Sequence, residues 1–542
     1  MFSIALVGPE LEENLSLRYL ASSLAAAGFE AAIVPFNESS DLPRVLSDLV
    51  GREDPPALVG LSLSFQWRAK DFLALAVALR RQGYTGHITA GGHFGTFACR
   101  EILRDFHEVD SICRHEAEDT LVSLATALRS GGSLESIRGL AYREANGDTA
   151  LTELAAPPDL ARLPRPDRRG TPSECLGRRM APLVASRGCY GHCAFCCIAA
   201  WHEQTMPGKR FRLRSVADVA DEMAELYHER GIELFLFHDD NFFLPGHSQS
   251  LRRIESLADE LERRGVRGFA TIVKARPNDL QADVLHAMRQ RLGLIRIYVG
   301  IENASERGLR NLQRGVDCEE NHRALDLLDR AGVFPCFNLL IFEPSTTLAD
   351  LEANLRFMER HAAAPMNFAR VELYAGTPLL AQLQADHGCT GDYLAWDYRI
   401  ADPAVQRVFE IATECFYRRN FSEDATAHRL MQTRFRVEIA ARFHAPVFCE
   451  SWRGESKRLS VLLTLDSVRA LREAAAFVQS NPRSWDDIDF AAALSASLRA
   501  TEGLVHAATD ALDLQIESAV RAAMGGNRHG REEDLEAAGK TA

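Results

Sequence analysis

The sequence predicts an α/β protein in three parts: a doubly wound parallel sheet, a partial barrel of six strand–helix units, and a mostly helical C-terminal region. Three observations carry this. Residues 1 to about 132 alternate short apolar runs with amphipathic stretches, five times over. A second alternation, of six units, runs from about 181 to 380. From about 391 the hydrophobic period becomes helical and stays so.

The apolar runs of the first part are FSIALVG, AAIVPF, ALVGLSL, HITAGG and VDSICR. Between them, helical patterns such as LRYLASSLAAAGF and FLALAVALRRQGY end near glycine, as helices do. This alternation predicts a flavodoxin- or Rossmann-like sheet, whose ligands sit at the carboxyl ends of the strands. Those ends read Gly8-Pro9, Ser62 to Gln66, Gly91-Gly92-His93 and Arg114-His115-Glu116. In IRGLAYREANGDTALTEL, two alternating runs flank Asn146-Gly147, which predicts a type I′ hairpin. The first domain is therefore set at 1–155, and the Pro- and Arg-rich stretch 156–180 is read as a linker.

The second series is APLVAS, LFLFH, FATIVK, LIRIYV, FPCFNLLI and NFARVEL, separated by helical stretches such as SVADVADEMAELYHERG. Six parallel units within 181–390 make a barrel two units short of a full (β/α) barrel. Residues 391–525 read as a helical domain, and 526–542, Gly-rich and charged, as a disordered tail. The aromatics Tyr393, Trp396, Tyr398, Phe416 and Tyr417 read as core packing, with lining of a substrate pocket as the alternative.

Bulk properties narrow the function. A chain of 542 residues, 46% hydrophobic and 25% charged, can bury several cores. The net charge of −13 opposes a general nucleic-acid binder. MFSIALVGPELEENLS lacks a basic n-region, and no apolar run reaches the ~18 residues of a membrane span. A cytoplasmic location is expected, and there clustered cysteines bind metal or do redox chemistry more often than they form disulfides.

Four of the twelve cysteines fall within nine residues, in SRGCYGHCAFCC, directly after the first barrel strand. Cys189, Cys193 and Cys196 form C-x3-C-x2-C. Three thiolates on a tight loop suit a cubane iron–sulfur cluster with one open iron. A zinc site, with Cys197 or His202 as fourth ligand, and a redox pair of Cys193 and Cys196 are the alternatives on spacing alone.

CYGHCAFC, with aromatic Phe195 just before the last cysteine, resembles the signature of radical S-adenosylmethionine (SAM) enzymes. HDDNFF, VKARPND, VGIENAS and VELYAGTPL resemble that family's strand-end segments, in its usual order. The resemblance covers about 200 residues. It implies a 4Fe-4S cluster on the three cysteines, with SAM bound to the open iron and cleaved to a 5′-deoxyadenosyl radical. Arg276 suits the SAM carboxylate, since guanidinium binds planar acids bidentately. Asp240 and Glu302 would accept from the ammonium or ribose, and Asn241 and Asn338 would add neutral contacts.

A doubly wound domain in front of such a barrel resembles the cobalamin-binding domain of cobalamin-dependent radical SAM enzymes. VGLSLSF, TAGGHFG and VDSICRHEAEDTL carry this likeness and assign Ser62, Ser64, Gly91, Gly92 and Glu116 to cobalamin. The glycines would let the corrin or its tail approach the backbone. No D-x-H-x-x-G follows the first strand, where GPELEENL stands, so the resemblance implies cobalt without a protein histidine below it. His93 and His115 read as peripheral.

The expected function is a cobalamin-dependent radical SAM C-methyltransferase, acting on an unactivated carbon of a small molecule or biosynthetic intermediate through a 5′-deoxyadenosyl radical and methylcobalamin. Ring formation, ring contraction or oxidation without methyl transfer is the first alternative. A sensor or zinc scaffold without turnover is the second. An external one-electron reductant of flavodoxin or ferredoxin type is implied. Cys197, Cys336 and Cys415 read as free thiols without a role.

Overall fold

A computed structural model describes residues 2–481 and 487–539. β1 (Ser3–Gly8) pairs in parallel with β2 (Glu30–Pro35) on one side and β3 (Leu58–Ser62) on the other. β4 (His87–Gly91) and β5 (Ser111–Cys113) continue the parallel sheet. The antiparallel β6 (Leu140–Arg143) and β7 (Thr149–Leu151) close it, in the order β2-β1-β3-β4-β5-β6-β7. Strand order reverses between β1 and β3, so their carboxyl ends flank the crevice where such sheets bind ligands. Helices cover both faces: Val7, Val59 and Leu61 meet Phe72 and Leu75 on one, and Ile4, Leu6 and Leu58 meet Leu17 and Leu24 on the other. Burial on both faces is why these strands read as continuous apolar runs.

The β6–β7 turn differs from the predicted type. Gly147 has φ 91°, and Asn146 is not in the left-handed region. Asp148 N–H donates to Asn146 Oδ1 at 2.9 Å, which holds Asn146 right-handed and leaves the glycine alone to take positive φ. The turn is therefore type I followed by a left-handed glycine, not type I′.

The linker carries structure of its own. β8 (Ser173–Cys175) turns through Leu176 and Gly177, both at positive φ, and pairs antiparallel with β9 (Arg178–Leu183). The short antiparallel pair β10 (Ser186–Gly188) and β11 (Phe211–Leu213) brackets the cysteine loop. β12 (Ile232–Phe237), β13 (Ala270–Ala275), β14 (Leu294–Val299), β15 (Phe334–Phe342) and β16 (Met366–Arg370) complete the second sheet, ordered β16-β15-β14-β13-β12-β9-β8. All six predicted barrel strands form and pair in parallel.

The convex face packs on the flanking helices in the largest apolar cluster. On the concave face, Leu234, Ile272, Phe334 and Cys336 meet Met431, Phe435 and Ile439 of the helix Thr426–Phe443. The C-terminal region thus plugs one end of the barrel from inside. It does not begin as helix: β17 (Cys389–Asp392) and β18 (Ala395–Tyr398) form a hairpin first. Tyr398 and Phe416 are core residues as predicted, whereas Tyr417 is 59% exposed on a π-helical turn. The last helix, Asp487–Gly539, runs into the stretch predicted to be a disordered tail. REEDLEAAG is rich in good helix formers, which outweighs its charge and glycine. Residues 540–542 lie outside the described residues.

Several contacts fix the first domain over the barrel, two of them at the strand-end loops. Arg168 bridges Glu13 and Glu222, joining the β1 loop to a barrel helix. Gln66, after β3, donates to Leu373 O at 3.0 Å and accepts from Ala375 N–H at 2.9 Å. The carboxyl ends of the two sheets therefore face each other across one cleft.

Candidate functional site

The cysteine loop leaves β10 through Gly188, at φ 87°. A Cβ there would stand 1.8 Å from Arg210 O, so no other residue fits. Cys196 N–H donates to Cys193 O at 3.1 Å, and Cys196 caps the helix Cys197–Thr205. Gly191 N–H donates to Cys189 Sγ at 3.3 Å. Burial raises the Cys189 thiol above its ordinary value, and the Gly191 N–H aimed at sulfur opposes that rise, toward the thiolate that binds metal.

Two guanidiniums reach the same sulfur. Arg276 Nη1 lies 3.6 Å from Cys193 Sγ and Arg314 Nη1 2.7 Å from it. Arg276 also donates to Arg314 O and stands over the Tyr190 ring at 5.6 Å, while Arg314 donates to Gly300 O. A Cβ on Gly191 would sit 2.4 Å from Arg276 Nη1, so a larger residue there would have to displace the guanidinium. Tyr190 donates to Asp279, and Asp279 accepts from Arg276 N–H at 3.0 Å, so VKARPND pins the loop. Sequence reasoning missed Arg314: NLQRGVD has no periodicity or motif that marks it, and only the fold brings it to Cys193.

Glu302 has φ 64°, rare for a residue with a side chain. Its backbone oxygen accepts from Leu340 N–H, which holds this conformation. Burial raises its carboxyl above the ordinary value, against the opposing pull of Arg314 and Arg276. Strain and a desolvated carboxylate between two cations are features of a binding site. Asp240 accepts from Gly188 N–H at 3.0 Å and so faces the loop. Asn338 is exposed on the concave face, in register with Asn367. Phe195 packs against the main core. Asn241 is buried beside the loop: its Nδ2 donates to Phe243 O at 2.9 Å, and its side chain also bonds Asp279, which accepts from Arg276 N–H.

Asp239 is structural. Fully buried, it accepts from Ala185 N–H at 3.0 Å and Ser186 Oγ at 2.5 Å, tying β12 to the start of the loop. Burial pushes its carboxyl up to about 6. A carboxyl whose folded pKa is raised contributes stability below its unfolded pKa and loses it as pH rises through the folded value. Unfolding free energy is expected to fall by about 2 kcal/mol between roughly pH 4 and 6 from this group. Denaturant titrations of wild type and Asp239→Asn check this, with the slope in that window weaker in the variant.

On the facing edge, Ser62 and Ser64 hydroxyls lie 3.2 Å apart. Gly92 has φ 98°, and a Cβ there would meet Ser64 N at 2.8 Å. Gly91 likewise approaches Cys113 O. Both glycines thus also meet the protein's own backbone closely. Glu116 is engaged by Arg187 at 2.5 Å and by Arg212, in an ion cluster that links the first domain to β10 and β11. His93 and His115 are not isolated: their rings lie 4.4 and 5.5 Å from Trp201, on the helix after the cysteines. Phe65 and Trp67, beside the Gln66 clasp, are 55% and 68% exposed and 6.2 Å apart. Apolar surface open at strand ends fits the face of a flat macrocycle.

Comparison with known proteins agrees with this geometry. Residues 4–125 match the B12 binding domain family and residues 183–358 the radical SAM superfamily. The chain is a cobalamin-dependent radical SAM enzyme, with a B12-binding domain followed by a radical SAM domain. It is 26% identical over 396 residues to an uncharacterized methyltransferase of Pyrococcus horikoshii, covering 72% of this chain and 78% of that one. It is 25% identical over 308 residues to the anaerobic magnesium-protoporphyrin IX monomethyl ester cyclase of Cereibacter sphaeroides, covering 54% of this chain and 48% of the cyclase. The fold matches that of the cobalamin-dependent SAM radical enzyme OxsB, solved with aqua-cobalamin and SAM, at TM-score 0.63 and 17% identity, over 99% of this chain and 81% of that one.

The implied cofactors are a 4Fe-4S cluster, SAM and cobalamin. The loop fits the cluster: three thiols, backbone donors and two guanidiniums suit an anionic sulfur cluster. Among the described residues, no three His, Cys, Asp or Glu converge as a single-ion site, so the zinc alternative gains no support from geometry.

Proposed function

We propose that the protein is a C-methyltransferase of this class, methylating an unactivated carbon of a small-molecule substrate. One observation carries the reading: C-x3-C-x2-C, flanked by Arg276, Arg314, Glu302 and Asp240, faces the carboxyl edge of a B12-binding sheet across a single cleft. Bound there, the cluster with SAM would supply a carbon-centred substrate radical and cobalamin a methyl group. The chain's own residues do the rest. Cys189, Cys193 and Cys196 would hold iron, and Arg276 and Arg314 balance negative charge on sulfur. Glu302 and Asp240 would orient the ammonium or ribose of SAM, and Asn338 would add a neutral contact. Ser62, Ser64, Phe65 and Trp67 would seat cobalamin. The Gln66 clasp holds the two edges together. An external one-electron donor of flavodoxin or ferredoxin type would feed the cluster.

The test is S-adenosylhomocysteine formation by anaerobically reconstituted protein, with and without hydroxocobalamin. Methyl transfer predicts its formation in a cobalamin-dependent manner. The likeness to the magnesium-protoporphyrin cyclase favours a second reading, cyclisation or oxidation without methyl transfer. That reading predicts 5′-deoxyadenosine with no S-adenosylhomocysteine.

Arg314 supplies a further expectation. Removing a cation beside a cluster ligand disfavours the reduced, more negative state. Arg314→Gln is expected to lower the cluster's reduction potential by on the order of tens of millivolts, read by redox titration followed by electron paramagnetic resonance.

A further inference from the structure

On the concave face of the barrel sheet two cations, Lys274 and Arg296, make no ion pair within 4.0 Å among the described residues. Register sets Ile272 beside Arg296 and Lys274 beside Tyr298. Side chains alternate across a strand, so Lys274, Arg296 and Tyr298 share the face on which Ile272 meets the plugging helix. Arg296 is 6% exposed. Its partners are Cys336 Sγ at 3.1 Å and the rings of Tyr298, Phe435 and Phe334 at 4.4, 5.0 and 5.3 Å. Its Nε has no partner. Nearer the strand ends, Lys274 makes no ion pair within 4.0 Å among the described residues. Tyr298, 39% exposed, leaves its hydroxyl unbonded there too. Glu12, the acid that approaches, lies on the β1 loop 3.5 Å from His238 Nε2 and reaches Lys274 only at longer range.

A buried guanidinium without a counter-charge is costly to fold, and bound anions offset that cost. We propose that this face binds an anionic group of the substrate, a carboxylate or a phosphate, with Lys274 and Tyr298 touching it and Arg296 supplying fixed charge from beneath. The proposal rests on reading the cleft as a radical SAM site and adds the substrate class to it.

Methyl acetyl phosphate, a small anionic acetylating agent, tests this on the cluster- and cobalamin-loaded protein. The chain has five lysines, so acetylation is readily mapped by mass spectrometry. Lys274 is expected to react about tenfold faster than exposed Lys70 and Lys209, as local positive charge concentrates an anionic reagent. Malonate or inorganic phosphate should suppress it, and whichever protects better identifies the group. Arg296→Gln should reduce the advantage of Lys274. Reaction of wild-type Lys274 no faster than Lys70, with neither anion protecting, overturns the proposal. 5′-Deoxyadenosine measured on the same preparation separates the two readings. Its formation beside an unprotected Lys274 overturns the anion site alone. A protected Lys274 without deoxyadenosine supports the anion site and counts against the SAM reading.

Discussion

Replacing Cys193 by Ala is expected to abolish cluster assembly and cut 5′-deoxyadenosine formation by at least about three orders of magnitude, some 4 kcal/mol of barrier. Cys193 is the central cysteine of the motif, buried and contacted by both Arg276 and Arg314. Its removal leaves two thiols for three irons and strands two guanidiniums that lose their sulfur partner. Cys197→Ala is the informative control. Cys197 starts the helix Cys197–Thr205 outside the C-x3-C-x2-C spacing, so this variant should keep its iron and its activity. Iron and sulfide per chain, with deoxyadenosine by mass spectrometry, read both. Equal losses in the two variants would favour a four-cysteine metal site over the cluster assignment.

Gly188→Ala should be nearly as damaging without touching a ligand. Positive φ alone costs the alanine about 1–2 kcal/mol. It must also move its Cβ out of Arg210 O, a backbone atom held by the β10–β11 pair, so the hairpin that launches the loop opens. Total destabilisation of about 2–4 kcal/mol is expected, with iron content falling to a minor fraction. Gly208→Ala separates the two causes. Gly208 has φ 72°, and a Cβ added there would meet nothing within 4 Å, so it should cost the conformational part only and keep its iron. Thermal melts and iron assays on the pair check this. Equal iron loss in both would contradict the steric account of Gly188.

The six barrel strands and five parallel strands of the first domain were legible because each is a buried run between amphipathic helices, and burial on both faces leaves a strong hydrophobic signal. β8 and the β17–β18 hairpin were not, because three or four residues at an edge bury too little to leave a pattern. The cysteine loop was legible because its spacing is local. Arg276 and Glu302 were legible only through strand-end motifs. Arg314 was not, since it reaches Cys193 across 121 residues of sequence through a fold contact alone. For Glu116 and Gly92 the fold adds partners that no local motif marks. Both stand at ligand-binding strand ends, yet their immediate partners are Arg187 and Arg212 for one and the Ser64 backbone for the other.

The most direct measurement of the central claim is 5′-deoxyadenosine produced by wild-type protein, anaerobically reconstituted with iron, sulfide and hydroxocobalamin and incubated with SAM and a strong reductant. The account predicts deoxyadenosine that requires the cluster and the reductant. None from protein carrying a full cluster would contradict it.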